Sequence, residues 1–266
     1  MIRRGVLALA LLAGASSAAA QPPAPPPPQA SSTIEILPRY TFHLAAEHLS
    51  GTDPRFVWDT NFGGELDLVD YVAGRLTFVA NYQAILGEQF RRFDPSQGNY
   101  ILGGSLSARP PGVEIAAVFH HESRHLSDRV KRQAVDWNMI GARASAARTR
   151  GRIQFQGRAD LRGVVQKSFV DYRWELDTDA RSHVTVSPMA ALFAGGGVRV
   201  LGVDGTRSRG TQHGFRGEGG VRLQGRGAAV ELFLAGEQRI DPYPLDFSNA
   251  TWFTAGFRLL SRESVR

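Results

Sequence analysis

From Ile34 onward the chain alternates apolar and polar residues with a period of two, the spacing of strands that present one face to each of two environments. Phe155, Gly157, Ala159 and Leu161 alternate with Gln154, Gln156, Arg158 and Asp160. Val170, Tyr172, Trp174 and Leu176 alternate with Asp171, Arg173, Glu175 and Asp177, and Phe215 to Leu223 and Phe253 to Leu259 repeat the pattern. No segment sustains a helical stripe. The pattern predicts about twelve strands, beginning near Leu37, Val57, Arg75, Asn99, Gly112, Val135, Arg152, Phe169, Val184, Gly214, Ala228 and Ala250.

The links between them are of two kinds. Those around Tyr71 to Gly74, Pro110 to Gly112, Arg148 to Gly151, Ala180 to His183 and Gln224 to Gly227 are short. Those at Ser50 to Arg55, Glu88 to Gly98, Leu126 to Ala134, Val203 to Gln212 and Arg239 to Asn249 are longer and polar, and only the link near Gly163 to Ser168 is shorter than its class. A soluble sandwich also alternates. Segments of roughly 10–13 residues are long for it, however, against a usual strand of about 5–6. Long strands, a charged face opposite a face of Gly, Ala and aromatics, and tight turns at one end only are the pattern of a transmembrane antiparallel up-and-down β-barrel. The expected class is therefore all-β, with a periplasmic sandwich as the alternative. Barrels of this kind commonly finish on an aromatic residue read by the insertion machinery; here Phe257 would serve from an internal position, because the chain continues to Arg266.

The remaining composition fits export. Arg3 and Arg4, the apolar run Val6 to Ala13 and the small residues Ala18 to Ala20 read as a signal peptide over residues 1–20. Residues 21–33 are a Pro-rich stretch that reads as a tether, leaving 34–262 for the barrel. The absence of cysteine excludes disulfides and thiolate-metal sites. Of 31 Lys and Arg, two lie in the leader, so the remainder carries +4 against 25 Asp and Glu. For an exported chain this mild positive charge points to anionic membrane lipids and lipopolysaccharide rather than nucleic acid. Arg91, Arg92, Arg129, Lys131, Arg132, Arg207 and Arg209 fall in long loops, where headgroup phosphates could meet them.

One stretch carries candidate chemistry: His121-Glu122-Ser123-Arg124-His125. On a helix it would read H-E-x-x-H, a zinc-hydrolase pattern whose two histidines converge on one metal. On a strand those histidines stand roughly 13 Å apart, too far to share an ion. The Pro110-Pro111-Gly112 turn before it fits a hairpin. In that hairpin Val113, Ile115, Ala117 and Phe119 face lipid, and the same face continues through His121, Ser123 and His125. On the next strand the face of Ile140, Ala142 and Ala144 extends to Asn138 and Asp136. His121, Ser123, Asn138 and Asp136 thus share the outer surface near the extracellular rim.

His-x-Ser on one strand with an amide or acid on the next resembles the active site of the outer-membrane phospholipase A family, and is similar to the lipid A 3-O-deacylase barrels. The resemblance covers Phe119 to Asn138. It implies a twelve-stranded barrel enzyme in which Ser123 attacks an acyl ester, His121 takes its proton and Asn138 or Asp136 orients the imidazole. It also implies a calcium ion near the oxyanion, for which Glu122 and Asp128 are the candidate ligands. The longer signature His-x-Ser-x-His-Leu-x-Asp resembles uncharacterised outer-membrane barrels, which imply no function. The other reading is a non-enzymatic barrel, a narrow pore or a structural protein, whose rim residues merely bind headgroups. Substrate, lumen and the choice between monomer and homodimer stay open at this stage.

Overall fold

The computed structural model describes residues 33–127, 129–130 and 133–261. The expected signal peptide and nearly all of the expected tether lie outside the described residues. The strands are β1 (Glu35–Leu49), β2 (Trp58–Asp70), β3 (Arg75–Gly87), β4 (Asp94–Ala108), β5 (Glu114–Leu126) and β6 (Asp136–Arg150). They continue with β7 (Ile153–Ser168), β8 (Tyr172–Ser187), β9 (Ala190–Val203), β10 (Gln212–Gln224), β11 (Ala228–Arg239) and β12 (Ala250–Ser261). Each pairs antiparallel with its sequence neighbours, and β1 closes on β12 with His43 opposite Leu260, giving an up-and-down barrel of twelve strands. Closure satisfies backbone groups that an open edge would leave bare in lipid.

The barrel is polar inside and apolar outside. Phe78, Phe119, Ile140, Leu161, Leu232 and Leu234 are exposed on its exterior, whereas Glu47, Asp59, Asp160, Glu175, Glu231 and Arg258 are buried in its lumen. That distribution suits a bilayer as the outer solvent. Each buried charge is paired, as burial requires. Arg216 bridges Glu47 at 2.9 Å and Glu237 at 2.8 Å. Arg258 joins Glu231 at 3.0 Å and also contacts Glu218. Arg143 and Arg158 share Asp160 at 2.8 and 3.1 Å.

Short turns gather at the end that holds the barrel's first and last strand residues, including Pro110-Pro111-Gly112, where Gly112 takes a positive φ of 83°. The longer loops stand at the opposite, extracellular end, following the usual arrangement of such barrels. There apolar side chains pack inside the barrel. Val135, Trp137, Met139, Val170, Tyr172, Leu201 and Ile240 form a buried apolar cluster, and Leu49, Phe56, Ile85 and Trp252 form a second. Arg209 holds Asp171 at 2.6 Å and Asp241 at 2.8 Å. A cavity of about 500 Å³ lies within the lumen, reaching from His120 and Arg162 at mid-barrel to Pro188 and Ser261 at the short-turn end.

The structure corrects the sequence reading in four places. Gly163 to Ser168 is no link, since all of those residues but Val165 pair with β6 and β7 runs on to Ser168. Ala180 to His183 is no turn: β8 runs on to Ser187 and β9 starts at Ala190, not near Val184. Arg181 and His183 are lumen residues, with Arg181 2.7 Å from Glu231, and the turn is at Pro188-Met189. β4 begins at Asp94 rather than near Asn99, because Asp94 and Pro95 pair with Gly87 and Leu86 across a bulge. Tyr172, which the alternation sets on the apolar outer face with Trp174, points inward. A register shift between Tyr172 and Trp174 breaks the alternation and leaves only Trp174 on the lipid side.

Candidate active site

The histidines and serine of β5 lie on a strand, so the helical zinc reading falls. Along β5 the burial alternates residue by residue. Glu114, Ala116, Val118, His120, Glu122 and Arg124 are buried, while Ile115, Phe119 and His125 are exposed and His121 and Ser123 partly so. The register between β5 and β6 sets His121 opposite Asn138 and Ser123 opposite Asp136. All four therefore stand on the outer face, close to the extracellular ends of their strands.

Nδ1 of His121 lies 2.7 Å from the carboxamide oxygen of Asn138. The Ser123 hydroxyl lies 2.7 Å from Nε2 of His125, and it makes this bond instead of one to His121. Ser123 is thus flanked along its own strand by two imidazoles, one touching it and one held by an amide. The sequence reading named only His121 as its partner. Alternation alone could have included His125, two positions further along the same face.

A residue that the sequence did not single out completes the group. Gln166 of β7 accepts a short hydrogen bond from the Asn138 amide and donates to Oδ1 of Asp136 at 3.2 Å. Strict alternation from Asp160 and Arg162 would have turned Gln166 into the lumen. A bulge changes its parity: Met139 pairs with Val164, but Asn138 pairs with Gln166, and Val165 is left over and exposed. Nothing local in the sequence marks that bulge.

Beside Ser123 a band of rings runs around the exterior. Tyr100 is the register partner of Ser123 on β4, Tyr82 the partner of Tyr100 on β3, and Phe62 the partner of Tyr82 on β2. Ring centroids are 5.4 Å apart for Phe62 and Tyr82, 5.0 Å for Tyr82 and Tyr100, and 5.4 Å for Tyr100 and His125. Aromatic belts mark the level where hydrocarbon meets headgroups. The serine therefore stands level with this run of rings.

Of the two expected calcium ligands, Glu122 does not fit. Glu122 lies on the opposite face of β5, buried in the lumen, where Arg124 Nε meets its carboxylate at 2.8 Å and His120 Nε2 stands 3.9 Å away. A side chain two-period alternation sends inward cannot reach an ion beside Ser123. Asp128 lies outside the described residues, and among those described no cluster of three His, Asp or Glu is placed to hold a metal. Three of the long-loop cations are likewise engaged by the protein. Arg129 pairs with Asp94 at 2.6 Å, Arg209 with Asp171 and Asp241, and Arg207 stacks on Phe247 at 3.6 Å from its centroid. Lys131 and Arg132 lie outside the described residues.

No family profile and no curated protein sequence matches the chain. Solved structures do resemble it. The outer membrane phospholipase dimer of Salmonella typhi with bound calcium is similar at a TM-score of 0.52 and 12% identity, over 84% of this chain and 90% of that one. Outer membrane phospholipase A from Escherichia coli gives a TM-score of 0.52 and 13% identity, over 84% and 96%. LpxR from Salmonella typhimurium gives 0.48 and 8%, over 83% and 99%. Identities this low speak for fold alone, and the fold agrees with the apolar exterior and charged lumen: the chain is a twelve-stranded transmembrane β-barrel of the bacterial outer membrane.

Proposed function

We propose that the barrel is a serine hydrolase of lipid acyl esters, working from its outer surface on phospholipid or lipopolysaccharide in the outer leaflet. The observation that carries this is the lipid-face line Ser123, His121, Asn138: a hydroxyl between two imidazoles, one of them bonded to a carboxamide oxygen at 2.7 Å. A nucleophile, a base and a group that orients the base are the minimum for acyl transfer. Lumen packing accounts for His120, Glu122 and Arg124, but it gives no reason for polar groups arranged in this way on the outside.

In this reading His121 is the base. With Nδ1 engaged by Asn138, its Nε2 is left to accept a proton. Rotation of Ser123 about χ1 moves the hydroxyl away from His125, which holds it at rest. Oγ attacks the ester carbonyl as Nε2 takes its proton, and the imidazolium returns that proton to the departing alcohol oxygen. Water then hydrolyses the acyl-serine by the same route, releasing the fatty acid. The aromatic belt keeps the ester at this depth, so the lipid need not leave the bilayer. The apolar clusters inside the extracellular end count against the alternative of an open pore.

The test is ester hydrolysis by the refolded barrel in mixed micelles, beside Ser123→Ala, His121→Ala and His125→Ala. Loss of the general base should cost about 10²–10⁴-fold. Ser123→Ala and His121→Ala should show it, with His125→Ala retaining most activity. A folded wild type that turns over no outer-leaflet lipid would sink the proposal. If His125→Ala is as damaged as Ser123→Ala while His121→Ala is not, the base is His125.

A further inference from the structure

Gln166 and Asp136 stand one and two hydrogen bonds beyond Asn138, and the polarity of that chain has a consequence for His121. An ionised carboxylate only accepts hydrogen bonds. Asp136 Oδ1 therefore requires the NH₂ end of Gln166, at 3.2 Å, and the Gln166 carboxamide oxygen is left to face Asn138. That oxygen in turn requires the NH₂ end of Asn138. The Asn138 oxygen then points at His121, and Nδ1, 2.7 Å away, must carry the proton. Each amide could flip in isolation; bonded in series to a carboxylate, Gln166 cannot do so without losing two bonds, nor Asn138 without losing its bond to Gln166.

We infer that Asp136 and Gln166 are positioning residues that hold His121 as its Nδ1–H tautomer, with the Nε2 lone pair presented for proton transfer. The inference rests on the hydrolase reading for its catalytic consequence, but the tautomer itself is independent of turnover. A second observation supports a dedicated role for Gln166. It reaches the outer face only because β7 carries an extra residue, Val165, opposite the Asn138–Met139 step. Bulges of this kind re-aim side chains and gather next to active sites. Here the bulge delivers one side chain that can both accept from Asn138 and donate to Asp136. The lumen is not altered in exchange, since Val164 still packs on the inner cluster of Trp137 and Met139.

The experiment uses the full barrel, refolded in detergent and labelled with ¹⁵N in its histidine rings, compared with Gln166→Ala, Asp136→Asn and the conservative Gln166→Asn. The ring-nitrogen shifts of His121, assigned through His121→Ala, report the tautomer directly. The wild type should show Nδ1 protonated and Nε2 bare. Gln166→Ala should give a mixture, and kcat should drop about 10–100-fold with KM unchanged, the scale of losing an outer orienting partner. Asp136→Asn, which restores amide freedom without changing shape, should do the same more weakly, and Gln166→Asn, too short to span both partners, should not rescue. An unchanged tautomer in Gln166→Ala overturns the inference whatever the activity. A tautomer that does shift in a barrel without esterase activity supports the relay and overturns the hydrolase reading instead.

Discussion

The Tyr172 hydroxyl donates to Oδ2 of Asp241 at 2.8 Å, tying the first residue of β8 to the β11–β12 loop inside the barrel mouth. The same loop is gripped twice more: Arg209 Nη1 donates to Asp241 Oδ1 at 2.8 Å, and Arg124 Nη1 to the Asp241 carbonyl at 2.6 Å. Ile240 and Asp241 are buried beneath these bonds. A loop held from β5, β8 and the β9–β10 loop acts as a stopper.

The stopper should govern conductance. The wild-type barrel in planar bilayers should show no steady channel. Asp241→Ala, which removes the side-chain bonds to Tyr172 and Arg209 and leaves only that of Arg124 to the main chain, should produce frequent openings, and deletion of residues 242–248 should produce more. Steady wild-type conductance matching that of the deletion would show that the mouth is not sealed by this loop.

Glu231 is fully buried among Arg181 at 2.7 Å, Arg258 at 3.0 Å and Arg222 at 3.4 Å. Removing one member of a buried ionic group leaves the rest uncompensated, at about 3–5 kcal/mol. Glu231→Gln should lose stability on that scale in urea-driven folding into vesicles, with lipid hydrolysis per folded molecule unchanged. Glu122→Gln, on the lumen side of the candidate site, should behave likewise: less stable, with any response to calcium unaltered.

Leu161 lies at the middle of β7, exposed on the exterior between Ala142 of β6 and Leu176 of β8. Leu161→Arg places a guanidinium in hydrocarbon and should cost about 2–4 kcal/mol. Its neighbour Asp160 faces the lumen, so Asp160 and Leu161 test the two environments one residue apart. A neutral Leu161→Arg in a bilayer folding titration would mean that this band does not meet lipid.

At the extracellular end, Arg55 joins Asp53 at 2.7 Å and Asp246 at 2.6 Å, linking the β1–β2 and β11–β12 loops. The Arg55 guanidinium hydrogen-bonded to Asp53 holds that carboxyl below its ordinary range, burial opposing it only partly. A depressed folded value means that the clamp is fully present above the unfolded carboxylate pKa of about 4 and is lost as pH falls through the lower folded value. Being partly exposed, it is worth at most about 1 kcal/mol. Nicking of these loops by protease should therefore be flat from pH 8 to 5 and increase only in stronger acid. Asp53→Asn should nick faster at neutral pH and lose that acid dependence; an identical profile in Asp53→Asn would assign the clamp elsewhere.

The barrel was legible in the chain because its determinants are local and repeated. Period-two alternation assigns each residue a face, strand length exceeds what a soluble sheet needs, and turn length differs between the two ends. Those rules place Arg75, Ala228 and Ala250 at strand starts and bring His121, Ser123, Asn138 and Asp136 to one outer surface. The errors of strand extent and facing came where a long-range contact overrides the local period. Lumen partners for Arg181 and His183 carry β8 past an expected turn, and a register shift sends Tyr172 inward to Asp241. The bulge at Val165 turns Gln166 outward to Asn138, and Glu122, read as a metal ligand, is claimed by Arg124 across the strand from Ser123. Whether the lumen is open, which imidazole touches Ser123 and what orients the other depend on segments far apart in sequence meeting in one place. Alternation fixes parity within a strand; only pairing between strands decides who stands opposite whom, and loops that fold back into the mouth obey neither rule.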